Sequence, residues 1–541
     1  MSLYVTEEFD DSERAILRRY VTNLDGPVFA LVHLPEVVKG ALFARYSRSP
    51  KGLRRLFLDE FVGDLDISAD EDLDATVGVD RAEKLYERVF VEYGDDSVAQ
   101  LGGVHLACEQ ASNLLTKVLE WGRLASYLEQ STRYIAYDQR LGGRYRYLRD
   151  AAVMASPSAT RYVADMDRIF ETYARLGQLM GEHFSAAVPK DPADSDLVYR
   201  QAIRAKALDT VRGVLPAASL SNVGIYGSGQ AYEQLVLRMR AHPLPEARAY
   251  ADMILTELRK VIPSFLRRVD LPDRGGAWTA YLESTRTQTA ELAERLFAQQ
   301  VPGPGHAEPV VRLVDFDPDG EAKVLAAMLY PHVDLPEHRI VERVRELTAT
   351  ERVELVRAYV GDRTNRRHKP GRALERTDYR FDVFADYGAF RDLQRHRLLT
   401  IEWQRFTPHH GYVRSPAIDE AGHASRFDQA MARSAALYEH LAGEFPEQAG
   451  YAVALAYRVR FVMQMNARSA MHVLELRSTP QGHPSYRRVA QEMHRLIAQE
   501  AGHHAIAEMM RHVDHHDEAD LERLESERRA HARREATAPR S

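Results

Sequence analysis

One cysteine, Cys108, stands in 541 residues, which leaves no intrachain disulfide framework and no cysteine-rich zinc site to consider. No stretch approaches the roughly 18 uncharged apolar residues that would span a bilayer. The opening run MSLYVTEEFDDSERAIL lacks a basic region leading into an apolar one, so no signal peptide is expected. Positive charge is also in short supply. Lys and Arg number 72 against 79 Asp and Glu, a net charge of −7, whereas nucleic-acid binders normally carry a basic excess. What is present, 45% hydrophobic and 28% charged residues, is the balance of a soluble, cytoplasmic, folded chain. Its length calls for more than one domain.

Proline and glycine mark the division. The stretch Gln299–Pro309 (QQVPGPGHAEP) reads as a linker, which predicts a first domain over 1–298 and a second over 310–516. Residues 517–541 form a charged C-terminal tail. A strand is expected from Val310 to Phe316 and a helix over Asp319–Leu329. Further helices are expected over Arg81–Val91, Gln110–Leu119, Val163–Met180, Thr287–Phe297, Ala430–Phe445 and Val489–Met510. Cys108 falls in an apolar helical context and reads as packed rather than reactive.

The two parts repeat one another. At an offset of 274, Glu120–Tyr134 lies over Gln394–Pro408, matching Arg123 with Arg397, Leu124 with Leu398 and Gln130 with Gln404. At an offset of 239, Leu235, Leu237, Arg238, Pro245 and Ala251 meet Leu474, Leu476, Arg477, Pro484 and Ala490.

Three clusters could carry chemistry. Arg395-His396-Arg397 offers fork-shaped donors around an imidazole, suited to phosphate groups; a solvated basic turn would read the same way. Glu129, Ser131 and Arg133 alternate, so in an extended stretch they share one face. That face could bond a sugar hydroxyl and a phosphate, or simply be polar. In Asn466–Arg477, Arg468 and His472 share a helix face, as they would in any amphipathic helix with a satisfied histidine. Glu500, His504 and Glu508, four apart, have metal-ligand spacing but no second carboxylate helix, and no metal is expected.

Gly122–Tyr134 and Arg395–Thr407 each resemble part of the signature of flavin-dependent thymidylate synthases, R-H-R-x-x-S-x-N-E-x-S-x-R-Y. Asn466–Arg477 resembles that family's N-x-R-x-x-x-H-x-x-x-L-R motif, and Val211–Pro216 its A-R-x-x-L-P motif. The losses are complementary. The first copy keeps Arg123, Ser126, Glu129, Ser131, Arg133, Tyr134 and Arg212 but has Trp121 and Gly122 where Arg and His belong. The second keeps Arg395, His396, Arg397, Asn466, Arg468, His472 and Arg477, while Gly227, Gly229 and Glu233 stand at the corresponding places in the first.

The resemblance implies an α+β fold in two tandem copies, helix-rich around a mixed or antiparallel sheet. It implies flavin-dependent methylation at C5 of a uracil nucleotide, dUMP to dTMP or a close variant, at one composite site per chain. Glu129, Ser131, Arg133, Arg212 and Arg395 would bind substrate. Arg395, His396, Arg397, Asn466, Arg468 and His472 would hold FAD, and Arg477 would be catalytic. NADPH and methylenetetrahydrofolate would be co-substrates, and two chains would pair as a pseudo-tetramer. A nucleotide- or flavin-binding protein without turnover is the competing class. Two departures stand out. Asp95 replaces the histidine of the family's H-x-S motif, which shapes the flavin and folate pocket. Asp392 replaces a glutamine three residues before R-H-R, putting a carboxylate where a phosphate is expected.

Overall fold

The computed structural model describes residues 4, 5, 7–34, 39, 42, 43, 46, 49–60, 103–192, 194–298, 310–516 and 528. The expected helix Arg81–Val91, the Asp95 motif, the Gln299–Pro309 linker and nearly all of the tail lie outside them.

Two four-stranded antiparallel sheets organise the fold, and their topology is the same. The first comprises β1 (Val28–Leu31), β2 (Gly103–Ser112), β3 (Ala125–Glu129) and β4 (Leu220–Ser228), in the order β1-β2-β4-β3. The second comprises β5 (Val311–Phe316), β6 (Asp378–Asp386), β7 (Thr400–Trp403) and β8 (Arg458–Asn466), in the order β5-β6-β8-β7. The fold is therefore α+β in two tandem copies.

The second sheet follows from alternation. Along β6 the buried residues are Tyr379, Phe381, Val383 and Ala385, and along β8 they are Val459, Phe461, Met463 and Met465. One face of each strand is apolar and must be covered. Helix Pro484–Gln499 packs against β5 and β6, burying Val489, Ala490, Met493, Leu496 and Ile497. That spacing is a single helical stripe.

β2 is different. It is buried on both faces and carries a bulge between Cys108 and Ala111, where Gln110 takes a left-handed φ of 56°. Its side chain holds the bulge by bonding the Val5 backbone through both amide atoms. The expected helix Gln110–Leu119 is thus a strand to Ser112 followed by helix Asn113–Leu119, because a doubly buried strand carries no period of two to read. Cys108 sits on this strand rather than on a helix; it is fully buried, and burial pushes its thiol up. On β4, a Cβ at Gly224 would come within 2.3 Å of the Phe43 ring, so the close approach requires glycine.

The expected helix Val489–Met510 is also two. It stops at Gln499, turns through Gly502 at φ 71°, and resumes as His504–Met509. Glu500, His504 and Glu508 therefore do not form one helical row. Other expectations hold with shifted ends: helices Ala159–Ala187, Ala277–Phe297, Gly320–Leu329 and Ala424–Ala442.

The chain packs as two compact units, each assembled from three stretches of sequence. One holds residues 1–174, 215–304 and 432–453, with the first sheet; the other holds 175–214, 305–431 and 454–541, with the second. Each unit takes a stretch from the opposite half of the sequence. Among the described residues no helix is long and apolar enough to cross a membrane.

Candidate active site

Helix Tyr387–Gln394 lies between β6 and β7. Asp386 caps its start, accepting from the Ala389 amide at 2.9 Å, while the Ser485 hydroxyl bonds the other carboxylate oxygen. Arg395 is the C-cap, and His396 and Arg397 follow in the turn leading to β7. Facing this turn is helix Ala467–Arg477. Its cap is Asn466, whose side chain accepts from the Ser469 amide at 2.9 Å.

Arg477, in the last turn of that helix, reaches His396. Its Nε donates to His396 Nε2 over 2.9 Å. An imidazolium has no acceptor, so this bond requires a neutral His396 with its proton on Nδ1. The electrostatics agree: burial first, then the charges of Arg477 and its surroundings, hold His396 well below its ordinary value. Burial likewise lowers the Arg477 guanidinium, opposed by the charge of Asp392. The Arg477 guanidinium lies 5.5 Å from the centroid of the Tyr486 ring, and the His396 and His472 rings meet edge-on at 5.6 Å. The result is a half-buried cation aimed and held by a neutral ring.

Arg212 joins this unit from the first copy. It ends helix Asp196–Val211 and is buried to 4% exposure. The following carbonyl, of Gly213, accepts from the Ala456 amide at 2.8 Å, and a Cβ at Gly213 would come within 3.0 Å of the Ala456 Cβ. That close backbone seat fixes the arginine. Its Nη1 donates to Asp392 Oδ2 at 3.1 Å, and Arg395 Nη1 lies 3.7 Å from Asp392 Oδ1. Arg212 Nη2 is buried without a hydrogen-bond partner among the described residues. It lies beside Gly388, where an added Cβ would be 3.2 Å from it.

A second cationic group flanks His472. Burial, then Lys369, Arg366 and Arg477, push this imidazole down to about 4. Arg468 donates to the Pro370 carbonyl at 3.1 Å and to Glu375 at 3.3 Å. The loop is fixed by Arg363, whose Nη1 and Nη2 donate to Glu475 at 2.7 and 2.6 Å with both side chains 1% exposed. The motif comparison missed Arg363, Glu475, Arg366 and Lys369. The available signal was the density of cations in RTNRRHKPGR (Arg363–Arg372), five in ten residues.

Arg212, Arg395, His396, Asn466, Arg468, His472 and Arg477 thus share one compact unit, with Arg397 exposed at its turn. Glu129, Ser131 and Arg133 lie in the other. They do not share a strand face there: β3 ends at Glu129, and Ser131 opens a turn in which Tyr134 and Ile135 donate back to its carbonyl. Glu129 is buried and ion-paired to Lys117 at 3.1 Å, with Glu120 on the same ammonium at 2.6 Å.

The sequence profile of the thymidylate synthase complementing protein family matches residues 44–264 and 312–502. A UPF0159 protein of Chlamydia muridarum is 40% identical over 529 residues, covering 97% of this chain and 99% of its own. A UPF0159 protein of Thermoplasma acidophilum is 31% identical over 503 residues, covering 88% and 95%. Among solved structures, the UMP/dUMP methylase PolB of Streptomyces cacaoi bound with 5-Br UMP is 20% identical with a TM-score of 0.29, covering 38% of this chain and 96% of that one.

Proposed function

The chain belongs to the thymidylate synthase complementing protein family, and on that premise we propose that it is an enzyme methylating C5 of a uracil nucleotide, dUMP or a close variant. The observation that carries the reading is the Arg477–His396 pair, set in the same unit as Arg212 from the opposite half of the sequence. A half-buried cation held in place by a neutral partner stabilises negative charge as it develops on a pyrimidine ring. Arg477 is the catalytic residue in this reading, and His396 positions it. Arg212 and Arg395 take the nucleotide's anionic end.

The donor set around His472 fits FAD. Burial, then Arg468 and Arg366, lower Lys369 against the opposing charge of Glu475, and a diphosphate here would add balancing charge. Arg366, Lys369 and Arg468 would hold that group, with Arg395, His396, Arg397, Asn466 and His472 around it. When bound, the flavin would supply hydride, with NADPH as reductant and a methylene-bearing folate as carbon donor. A cytoplasmic homodimer of two-copy chains goes with this assignment.

Complementation of a thymidine-requiring bacterium tests it. Growth without thymidine is expected, as is a yellow purified protein bleached by NADPH. Colourless protein that forms no methylated product from dUMP or UMP, with flavin and folate supplied, would refute the assignment.

A further inference from the structure

Helix Ala277–Phe297 closes the first copy, and none of its 21 residues is buried. It meets helix Gly229–Arg240 along one flank, where Thr279, Leu282 and Arg286 are half-covered and Arg286 bonds the Ala241 carbonyl. Its middle, Ser284–Thr289 (STRTQT), is poor in helix-forming residues. A helix of that composition owes its stability to a packed face rather than to propensity. One face is built for packing. Trp278, Leu282, Thr285, Thr289, Leu292 and Leu296 recur at steps of 4, 3, 4, 3 and 4, the seam spacing of a coiled coil. Trp278 is 44% exposed, Leu292 43% and Leu296 65%. Glu283, Glu291 and Glu294 fall on the opposite side of the helix. The two seam threonines bond within the helix, Thr285 Oγ1 donating to the Tyr281 carbonyl at 3.0 Å and Thr289 Oγ1 to the Thr285 carbonyl at 2.7 Å. Both can enter an interface without stranding a donor.

Such a seam is self-complementary, because an identical helix offers the holes its side chains fill, and a contact between identical surfaces closes after two copies. The flanking residues agree with this. In a parallel pair Tyr281 meets Arg286 of the second copy. In the antiparallel pair that sets Trp278 against Leu296, Tyr281 meets Arg295 instead. A cation comes beside an aromatic ring either way. We propose that helix Ala277–Phe297 is a docking surface for a second copy of this chain, the two helices packing seam to seam as a two-stranded coiled coil. The surface belongs to the first unit and the Arg477–His396 pair to the second, so this contact stands independently of the nucleotide reading.

Sedimentation equilibrium of the full chain tests it, with wild type expected to show a reversible dimer. Leu292→Glu combined with Leu296→Glu should weaken that dimer about a hundredfold, and the chain should still fold because both side chains are exposed. Thr285→Leu combined with Thr289→Leu should tighten it about tenfold or more, whereas Thr287→Leu, on the opposite side, should move it less than about twofold. A wild type that remains monomeric would overturn the proposal. So would a dimer that the two glutamates leave unchanged in a folded chain, since the contact would then lie elsewhere. Tightening by Thr287→Leu equal to that of the seam pair would overturn it as well, showing that added apolar surface rather than the seam drives association. The leucine variants keep the test decisive if the glutamate chain fails to fold.

Discussion

Ser112 and Asp386 open equivalent helices in the two copies, and each bonds a residue in the first turn of a later helix, Pro245–Arg259 or Pro484–Gln499. In the first copy the cap is a hydroxyl and Glu246 brings the carboxylate, with Ser112 Oγ to Glu246 Oε2 at 2.6 Å. In the second the cap is the carboxylate, and Ser485 brings the hydroxyl. The pair is conserved as chemistry while its carriers have changed places. A helix start needs an acceptor for its unbonded amides, and either side of the contact can supply the charge. What differs is the surroundings. The first copy sets its buried Lys117 between Glu120 and Glu129. The second carries Arg212, Arg395 and Arg477 around Asp392. Where Arg477 meets an imidazole, Arg238 lies 5.1 Å from the Trp121 ring centroid. One copy sets a lysine between two carboxylates, and the other gathers three arginines around one.

The largest way to break this contrast is through the buried ion pairs. Arg363→Ala leaves Glu475 as an unpaired charge at 1% exposure and frees the loop beside His472, and should cost about 3–5 kcal/mol of stability in denaturant unfolding. Another buried pair, in the first copy, Arg268 with Glu233, is more exposed on its arginine side, at 14%, so Arg268→Ala should cost less. Equal losses would mean that the two copies do not differ in how they hold charge.

Next comes the cation at each helix end. Arg477→Ala should lower kcat about 10²–10³-fold with little change in melting temperature, as expected when a preorganised charge is removed. Arg238→Ala should leave kcat within about twofold, because the first copy presents no imidazole to aim it. Steady-state kinetics of both variants decides whether the chemistry belongs to the second copy alone.

Much of this was legible in the sequence. β5 and helix Gly320–Leu329 follow from alternation and period, and the order of motifs marked the second copy as the richer in cations. Other features were not. Ser228, not Gly227, caps the helix after β4 as Asn466 caps the one after β8, so the sequence offset slips by a residue at that junction. Side-chain identity misaligned it because Leu and Arg recur at neighbouring positions. The Arg363–Glu475 pair spans 112 residues, a distance no local pattern reports. Nor does any local pattern show that residues 175–214 pack with the second sheet, which is what brings Arg212 to Asp392.

A smaller effect, of about 3 kcal/mol, separates the copies by pH. Burial raises Glu246 to about 7, against hydrogen bonds from Ser112 and Tyr451 that favour the anion. Between pH 4.5 and about 7 the unfolded chain has lost this proton while the folded one retains it, so stability falls as pH rises through that window and levels off above it. Glu246→Gln should flatten that slope in denaturant melts run from pH 5 to 8. The exchange of carriers sharpens the point, since Ser485→Ala in the second copy should leave the slope intact.

The smallest effect concerns the caps themselves. Asn466 and Ser228 each accept from an amide three residues on, at 2.9 and 3.3 Å. Alanine at either should cost about 1 kcal/mol, the ordinary worth of an N-cap. The copies part company in what else is lost. Asn466 retains an amide nitrogen that a cap does not use, on the helix that ends in Arg477 and beside Arg468. Asn466→Ala should therefore weaken FAD retention as well as stability, while Asn466→Ser restores the cap without the amide and should recover stability alone. Ser228→Ala should leave flavin content unchanged. Flavin absorbance per chain, read alongside melting for the three variants, separates a structural cap from one that also faces a ligand; equal flavin content in all three would reduce Asn466 to the role Ser228 already plays.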